Sequence, residues 1–170
     1  MPVKRYPGRP IEVMCPVNAK EMDIVQERIV LRKDMLRKCT EEFIRNPLCR
    51  VNAVISDRAT FKTSALVQFV AERQMTIPPP GRIGVLCPNR TMVEMFARAY
   101  QIEFPTLRVR NPLVATPEEV KHGCWNGWTV PEVYADEMFL MNTREVHAVP
   151  NLVCGIGTLP RAVIVRVNAW

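Results

Sequence analysis

Hydrophobic and polar positions recur along the chain with two different periods, one typical of helices and one of short buried strands. Residues 19–45 carry apolar side chains at roughly helical spacing with charged residues between them, which predicts a long amphipathic helix. Asn18 is the expected N-cap, with Glu21 three residues later as the partner of a capping box. The helix is expected to end at Asn46, because a residue before proline avoids helical angles.

After this helix, short runs rich in β-branched residues alternate with helical patterns. Strands are predicted at Val51–Ile55, Arg82–Cys87, Leu107–Val114, Glu132–Ala135, Leu152–Ile156 and Ala162–Val167. Helices are predicted between them at Ser64–Gln74, Met92–Gln101 and Asn142–Val149. Strands that alternate with helices at this spacing predict an α/β fold with a mainly parallel sheet flanked by helices.

The length of 170 residues is that of one domain. Residues 1–17 contain four prolines and several basic side chains without periodicity, so they are predicted to form an extended basic arm. Residues 18–170 are then predicted to form a single α/β domain. This domain begins with the N-terminal helix, which spans residues 18–46 when its capping residues are included. Trp125 and Trp128 flank a glycine turn, where core packing is favoured over base stacking as their role.

The chain is basic, with a net charge of +6 and a pI near 9.2. This charge suits contact with a nucleic-acid backbone, because lysine and arginine release counterions from phosphates. No run approaches the ~20 apolar residues of a membrane span, and the start lacks the apolar segment of a secretory signal. The six cysteines form no Cys-x-x-Cys pair, which favours a reducing cytoplasmic or nuclear location.

A candidate phosphate loop lies between the first predicted strand of the sheet and the helix that follows it. It consists of Ser56, Asp57, Arg58, Ala59, Thr60, Phe61, Lys62 and Thr63. In the pattern Gly-x-x-x-x-Gly-Lys-Ser/Thr, Lys62 would contact the β- and γ-phosphates of ATP, and Thr63 would ligate Mg²⁺. Ser56 and Phe61 replace both glycines, however, so these eight residues by themselves favour a loop that contains Lys-Thr by chance, and the case for a phosphate loop depends on the segments that follow.

Two adjacent carboxylates, Asp136 and Glu137, end a predicted apolar strand. Like charges at a buried strand end are unfavourable for stability, and a nucleotide site would account for them. Asp136 would then hold Mg²⁺, and Glu137 would orient and deprotonate the attacking water. The alternative is a solvated strand end. Ligands of parallel sheets gather at the carboxyl ends of the strands, so Lys62 is expected to meet both carboxylates there.

A polar turn also follows the second strand of the sheet. Asn89 and Arg90 open the next predicted helix and would offer donors to a nucleic-acid backbone, although an ordinary capped turn would contain the same residues. Arg108 and Arg110 add positive charge that would line a polynucleotide.

The candidate phosphate loop, the polar turn and the acidic strand end follow one another along the chain in an order that resembles the ATPase domain of the viral terminase large subunit. That subunit is a DNA-packaging motor with a RecA-like P-loop NTPase core. The resemblance covers about residues 45–167 and is carried by Arg58 in the run Arg58–Thr63. It implies that Arg58 acts as an arginine finger or phosphate sensor and that Thr158 senses the γ-phosphate and couples hydrolysis to movement. It also implies Mg²⁺ and ATP as cofactors, and DNA and a homo-oligomer or larger viral assembly as partners. The shortness of the chain leaves open a trimmed motor, one piece of a split motor or a relic.

Three functions follow from these observations. The first is a terminase-like ATPase or motor component, and the second is a catalytically silent P-loop-like module for binding or scaffolding. The third is a basic nucleic-acid-binding α/β domain that makes no use of the acidic pair. Phe61 separates the first two, because a ring in the phosphate cradle would exclude nucleotide.

Overall fold

The computed structural model describes residues 19–46, 52–55, 61–105, 111–141, 144, 149 and 152–157. Its strands are β1 Asn52–Ile55, β2 Gly84–Leu86, β3 Leu113–Ala115, β4 Val133–Asp136 and β5 Leu152–Gly157. Its helices are α1 Ala19–Arg45, α2 Lys62–Thr76, α3 Arg90–Glu103 and α4 Pro117–Lys121, with a 3₁₀ turn at Met138–Leu140. The strands form one sheet in the order β1-β5-β4-β2-β3, and every pairing in it is parallel. The predicted α/β class, parallel sheet and long N-terminal helix are confirmed.

The connections cover the two faces of the sheet unequally. From β1 to β2 and on to β3 the chain moves one way along the sheet through α2 and α3, and from β3 to β4 it returns through α4. Right-handed crossovers place connections of opposite direction on opposite faces. Accordingly, α1, α2 and α3 pack on one face around Leu66, Phe96 and Tyr134, whereas Val120 and Met138 pack on the other.

Helix α2 is fixed to the sheet at its C-terminal half. Arg73 forms a two-pronged ion pair with Glu132, with Nε 2.8 Å from Oε2 and Nη2 2.5 Å from Oε1. The Tyr134 hydroxyl donates to the same carboxylate at 2.8 Å, and the Tyr134 ring meets Phe69 edge-on. The buried Gln74 side chain accepts a hydrogen bond from the Ile83 amide. These contacts hold the axis of α2, so the side chains of its first turn have a defined position over the sheet.

Several element boundaries differ from those predicted. Helix α2 begins at Lys62 rather than Ser64, and α3 begins at Arg90 rather than Met92. The last strand residue before the acidic pair was predicted as Ala135, but β4 includes Asp136. Helix α4, in a stretch without a predicted element, has a complete capping box between Thr116 and Glu119.

Other predictions fall wholly or partly outside the described residues. These are the arm 1–17, the N-cap Asn18, the strand 162–167 and most of the helix 142–149. The strand predicted at Leu107–Val114 is seen as Leu113–Ala115, and residues 106–110 are likewise outside.

The two tryptophans of the glycine turn lie in different environments. A side chain at Gly84 would come within 2.6 Å of the Trp125 ring, so Trp125 packs directly on the backbone of β2. Core packing is therefore the role of Trp125. Trp128 is 46% exposed, and the Arg82 guanidinium lies 4.2 Å from the centroid of its ring. None of the described helices is both long and apolar enough to cross a membrane.

Candidate functional site

The acidic pair lies at the carboxyl end of β4, and Asp136 points toward α2. Strand alternation places Ala135 in the core under α4 and Asp136 on the opposite face. There the Thr63 hydroxyl, in the first turn of α2, donates a 2.9 Å hydrogen bond to Asp136 Oδ2. Strand β5 separates β1 from β4, so this bond connects segments that are not neighbours in the sheet. It brings the lysine-threonine pair of the candidate phosphate loop to the acidic strand.

Glu137 reaches the same place because the strand ends abruptly at this residue. A continued strand would turn its side chain to the face that Ala135 occupies. Instead Glu137 adopts a left-handed conformation, with φ 49° and ψ 44°, and the 3₁₀ turn starts behind it. Its Oε1 lies 3.2 Å from Lys62 Nζ, and the two side chains are only 15% and 5% exposed. Both carboxylates therefore face the first turn of α2.

Burial dominates the electrostatics of Asp136. The residue is 1% exposed, and the loss of solvation raises the pKa of its carboxyl to about 6. The Thr63 hydrogen bond and the positive charge of Lys62 act in the opposite direction, while the negative charge of Glu137 raises the pKa further. Burial, rather than the neighbouring charges, is thus the main cause of the raised pKa.

A divalent cation fits this arrangement of oxygen atoms. Asp136 Oδ1 is buried and has no hydrogen-bond partner among the described residues, although its Oδ2 is bonded to Thr63. Among the same residues no three His, Cys, Asp or Glu side chains come together as a ready metal cage. Mg²⁺ commonly binds through one or two protein oxygens together with substrate phosphates, which agrees with a hydroxyl and a single carboxylate.

Phe61 has the backbone conformation that a glycine would adopt most easily. It is the N-cap of α2 with φ 57° and ψ 32°, in the left-handed region, and its half-buried side chain makes no capping hydrogen bond. Phe61 and Glu137 are the two non-glycine residues with positive φ in the described part of the chain. Such residues cluster at functional sites, because the surrounding structure must hold the strain. Here Glu137 is itself a member of the ion pair with Lys62, and Phe61 directly precedes Lys62 in the chain.

The strain at Phe61 gives a measurable prediction. We expect Phe61→Gly to unfold at higher urea concentration than Phe61→Ala, with a difference of about 1 kcal/mol in the free energy of unfolding. Both variants lose the ring, but alanine keeps a Cβ in the left-handed region. At an ordinary position the order is the reverse, since glycine has more unfolded-state entropy to lose. An alanine variant as stable as the glycine variant would show that the conformation is not strained.

The structure gives Asn89 and Arg90 local partners. The Asn89 side chain accepts from the Met92 amide at 3.0 Å and caps α3. Arg90 Nη1 lies 2.8 Å from Glu119 Oε1, and Arg90 Nε lies 3.5 Å from Glu94. This is the capped-turn arrangement. Arg90 is still largely exposed, and nucleic-acid contact by Asn89 and Arg90 stays a prediction.

Several predicted site residues lie outside the described residues. They are Ser56, Asp57, Arg58, Ala59 and Thr60 of the loop, Thr158, and the basic residues Arg108 and Arg110. The structure thus brings together Lys62, Thr63, Asp136 and Glu137, with Phe61 at the start of α2.

Two further residues of this region were not predicted from the sequence. Cys87, at the carboxyl end of β2, is fully buried, and burial together with the Asp136 charge raises the pKa of its thiol. The sequence signal that could have identified Cys87 is its place at the carboxyl end of a predicted strand, where ligands of parallel sheets gather. Gly155, in β5, packs against Met138 just after the acidic pair, and no sequence signal pointed to this contact.

No protein-family model and no curated protein matches this sequence. The fold and the site therefore define the chain as an α/β protein with a parallel sheet, in which a lysine-threonine pair at a helix start meets two carboxylates at the carboxyl edge.

Proposed function

We propose that this chain binds Mg-ATP at the carboxyl edge of its sheet and is a terminase-like ATPase, or an ATPase-derived component, of a viral DNA-packaging or other nucleic-acid motor. The observation that carries the proposal is the meeting of Lys62 and Thr63 with Asp136 and Glu137 across β5. These are the residue types that hold a nucleoside triphosphate and its metal ion in P-loop enzymes.

Helix α2 supplies the phosphate-binding end of the site. Its first turn contains no acidic residue, and Phe61 makes no side-chain cap. The amide groups at such a helix start attract anions, and the charge of Lys62 adds to that attraction. Lys62 is buried and points to the same edge, so a phosphate oxygen would replace the Glu137 carboxylate as its partner.

Thr63 and Asp136 would hold Mg²⁺, with the free Oδ1 of Asp136 directed at the ion or at one of its waters. When bound, the cation would neutralise charge on the β- and γ-phosphates. Glu137, once released from Lys62, would accept a proton from the attacking water. Burial of the site would strengthen each of these electrostatic interactions.

The silent module remains the second candidate, and Phe61 is the observation that favours it. A phenylalanine in the left-handed position brings a half-buried side chain to the start of the helix where phosphates would bind. The existing Lys62–Glu137 ion pair also satisfies the lysine without nucleotide. In that case the chain would keep the fold for binding or scaffolding without turnover.

A basic nucleic-acid-binding domain is the third candidate, and it is supported by the net charge of +6 alone.

The proposal is tested by the melting temperature in millimolar Mg-ATP. Ligand at 100 times its dissociation constant stabilises the folded state by about 2.7 kcal/mol, which raises the melting temperature by several degrees. Lys62→Ala is expected to remove this rise, measured against the melting temperature of the variant without nucleotide.

Lys121→Ala, on the exposed surface of α4, is the matched control and should keep the full rise. Without any rise in the natural protein, nucleotide binding is excluded and the silent module is favoured. A rise without phosphate release identifies an ATPase-derived component that binds nucleotide but does not hydrolyse it.

A further inference from the structure

The segment that follows the acidic strand packs tightly against the backbone of β5. Met138 is buried, and its side chain lies over Gly155, which pairs with Ala135 of β4. A Cβ atom built on Gly155 would overlap Met138 Sδ and lie 2.7 Å from its Cγ. Real Cβ atoms do not come this close to other atoms. The Met138 side chain can therefore occupy this position over Gly155, which we call its seat, only because residue 155 has no side chain.

This seat is directly joined to Glu137. Met138 begins the 3₁₀ turn, whose first bonds run from the Leu140 amide to the Glu137 carbonyl at 2.9 Å and from the Met141 amide to the Met138 carbonyl at 3.1 Å. Glu137 is the left-handed residue between β4 and this turn. A displacement of the Met138 backbone would therefore change the backbone angles of Glu137, whose conformation is already unfavourable for a residue with a side chain.

We propose that Gly155 is a positioning residue of the site, acting through Met138 to hold the Glu137 carboxylate against Lys62. The contact from Gly155 to Met138 fixes the turn, the turn fixes the left-handed conformation of Glu137, and this conformation brings Oε1 to Lys62 Nζ. The catalytic part of this inference rests on the proposed function, because the same contact would then hold Glu137 in place as the general base. The arrangement of the ion pair itself does not depend on nucleotide.

The first test uses no nucleotide. Urea unfolding of Lys62→Met, Glu137→Gln and the double variant gives the coupling free energy of the ion pair. In a Gly155→Ala background we expect this coupling to disappear. In Gly155→Ala/Met138→Ala, where the smaller side chain makes room for the new Cβ, we expect it to return. A purely structural glycine would lower the stability of all variants and leave the coupling unchanged.

Gly84→Ala is the matched control. Gly84 lies in β2, and a Cβ there would meet the Trp125 ring at 2.6 Å, so it also disturbs the packing between a strand and its cover. Its seat contains neither Met138 nor Glu137, and the coupling should survive in this background. Loss of the coupling in both glycine variants, or its persistence in Gly155→Ala, overturns the proposal.

The second test measures ATP hydrolysis and binding separately. Gly155→Ala is expected to bind Mg-ATP at least as tightly as the natural protein, because Lys62 loses its competing carboxylate, and to hydrolyse it about a hundredfold more slowly, the scale of a misplacement of about 1 Å. Gly155→Ala/Met138→Ala should recover turnover. If the natural protein neither binds nor hydrolyses ATP, the proposed function fails, and the coupling experiment still decides whether Gly155 positions Glu137. If Gly155→Ala does not fold, Met138→Ala alone should lose the coupling, because it leaves the space over Gly155 empty, whereas in the double variant the new Cβ of residue 155 fills part of that space. A retained coupling in Met138→Ala also overturns the proposal.

Discussion

Glu137→Gln is expected to tighten Mg-ATP binding by about tenfold and to slow its hydrolysis by at least about a hundredfold. Binding tightens because the Glu137 carboxylate, 3.2 Å from Lys62 Nζ, competes with phosphate oxygens for the ammonium group. Glutamine keeps the shape but removes the charge, which weakens this competition. Hydrolysis slows because an amide does not accept a proton from the attacking water. Few structural defects produce opposite changes in affinity and rate.

The measurements are equilibrium titration with Mg-ATP and release of phosphate at saturating nucleotide. Glu41→Gln is a suitable control, since Glu41 forms an exposed ion pair with Arg45 at 3.4 Å on α1. An exposed pair contributes little, so binding and turnover should remain those of the natural protein. Hydrolysis at the natural rate in Glu137→Gln would remove Glu137 from the mechanism.

Asp136→Asn is expected to stabilise the nucleotide-free protein at neutral pH by about 3 kcal/mol. Burial raises the pKa of the Asp136 carboxyl from 3.8 to about 6, so the folded state binds its proton more tightly than the unfolded state. The free energy of unfolding of the natural protein should fall as the pH rises from about 4 to about 6 and then stay low. Asparagine carries no charge at any of these pH values, and the penalty is absent.

Urea unfolding of both proteins across this pH range checks the prediction. The two curves should approach each other near pH 4 and separate as the pH rises, and the separation should shrink in millimolar Mg²⁺ if the ion binds Asp136. Asp23→Asn, on the exposed side of α1, should change stability by less than about 0.5 kcal/mol. A natural protein with the same pH dependence as Asp136→Asn would mean that this carboxyl is well solvated.

These two variants also separate the two main functional candidates. An active ATPase requires Glu137 for turnover and Asp136 for Mg²⁺ binding, so both substitutions would strongly slow hydrolysis. In a silent module the same carboxylates are retained without turnover, and Asp136→Asn would improve stability without a loss of enzymatic function. The buried charge of Asp136 is then the feature that needs explanation, because replacing it would favour folding.

The kind and order of the five strands and of α1, α2 and α3 could be predicted from the sequence, whereas α4 could not. Periodic apolar positions predicted the long helix that is seen as Ala19–Arg45, and β-branched runs predicted the strands, because these patterns depend on local burial. The rule that parallel sheets collect ligands at the carboxyl ends of their strands also led from Lys62 and Thr63 to Asp136 and Glu137. The convergence expected from that rule is present in the structure.

The way in which these residues meet depends on long-range packing and is visible only in the folded protein. The order β1-β5-β4-β2-β3 places β5 between the two halves of the site, and strand order arises from long-range packing that no local pattern encodes. The left-handed conformation of Glu137 and its support by Met138 on Gly155 arise in the same way. A glycine within a strand has several possible reasons, and its role becomes visible only when the atom that occupies the space of its missing side chain is known.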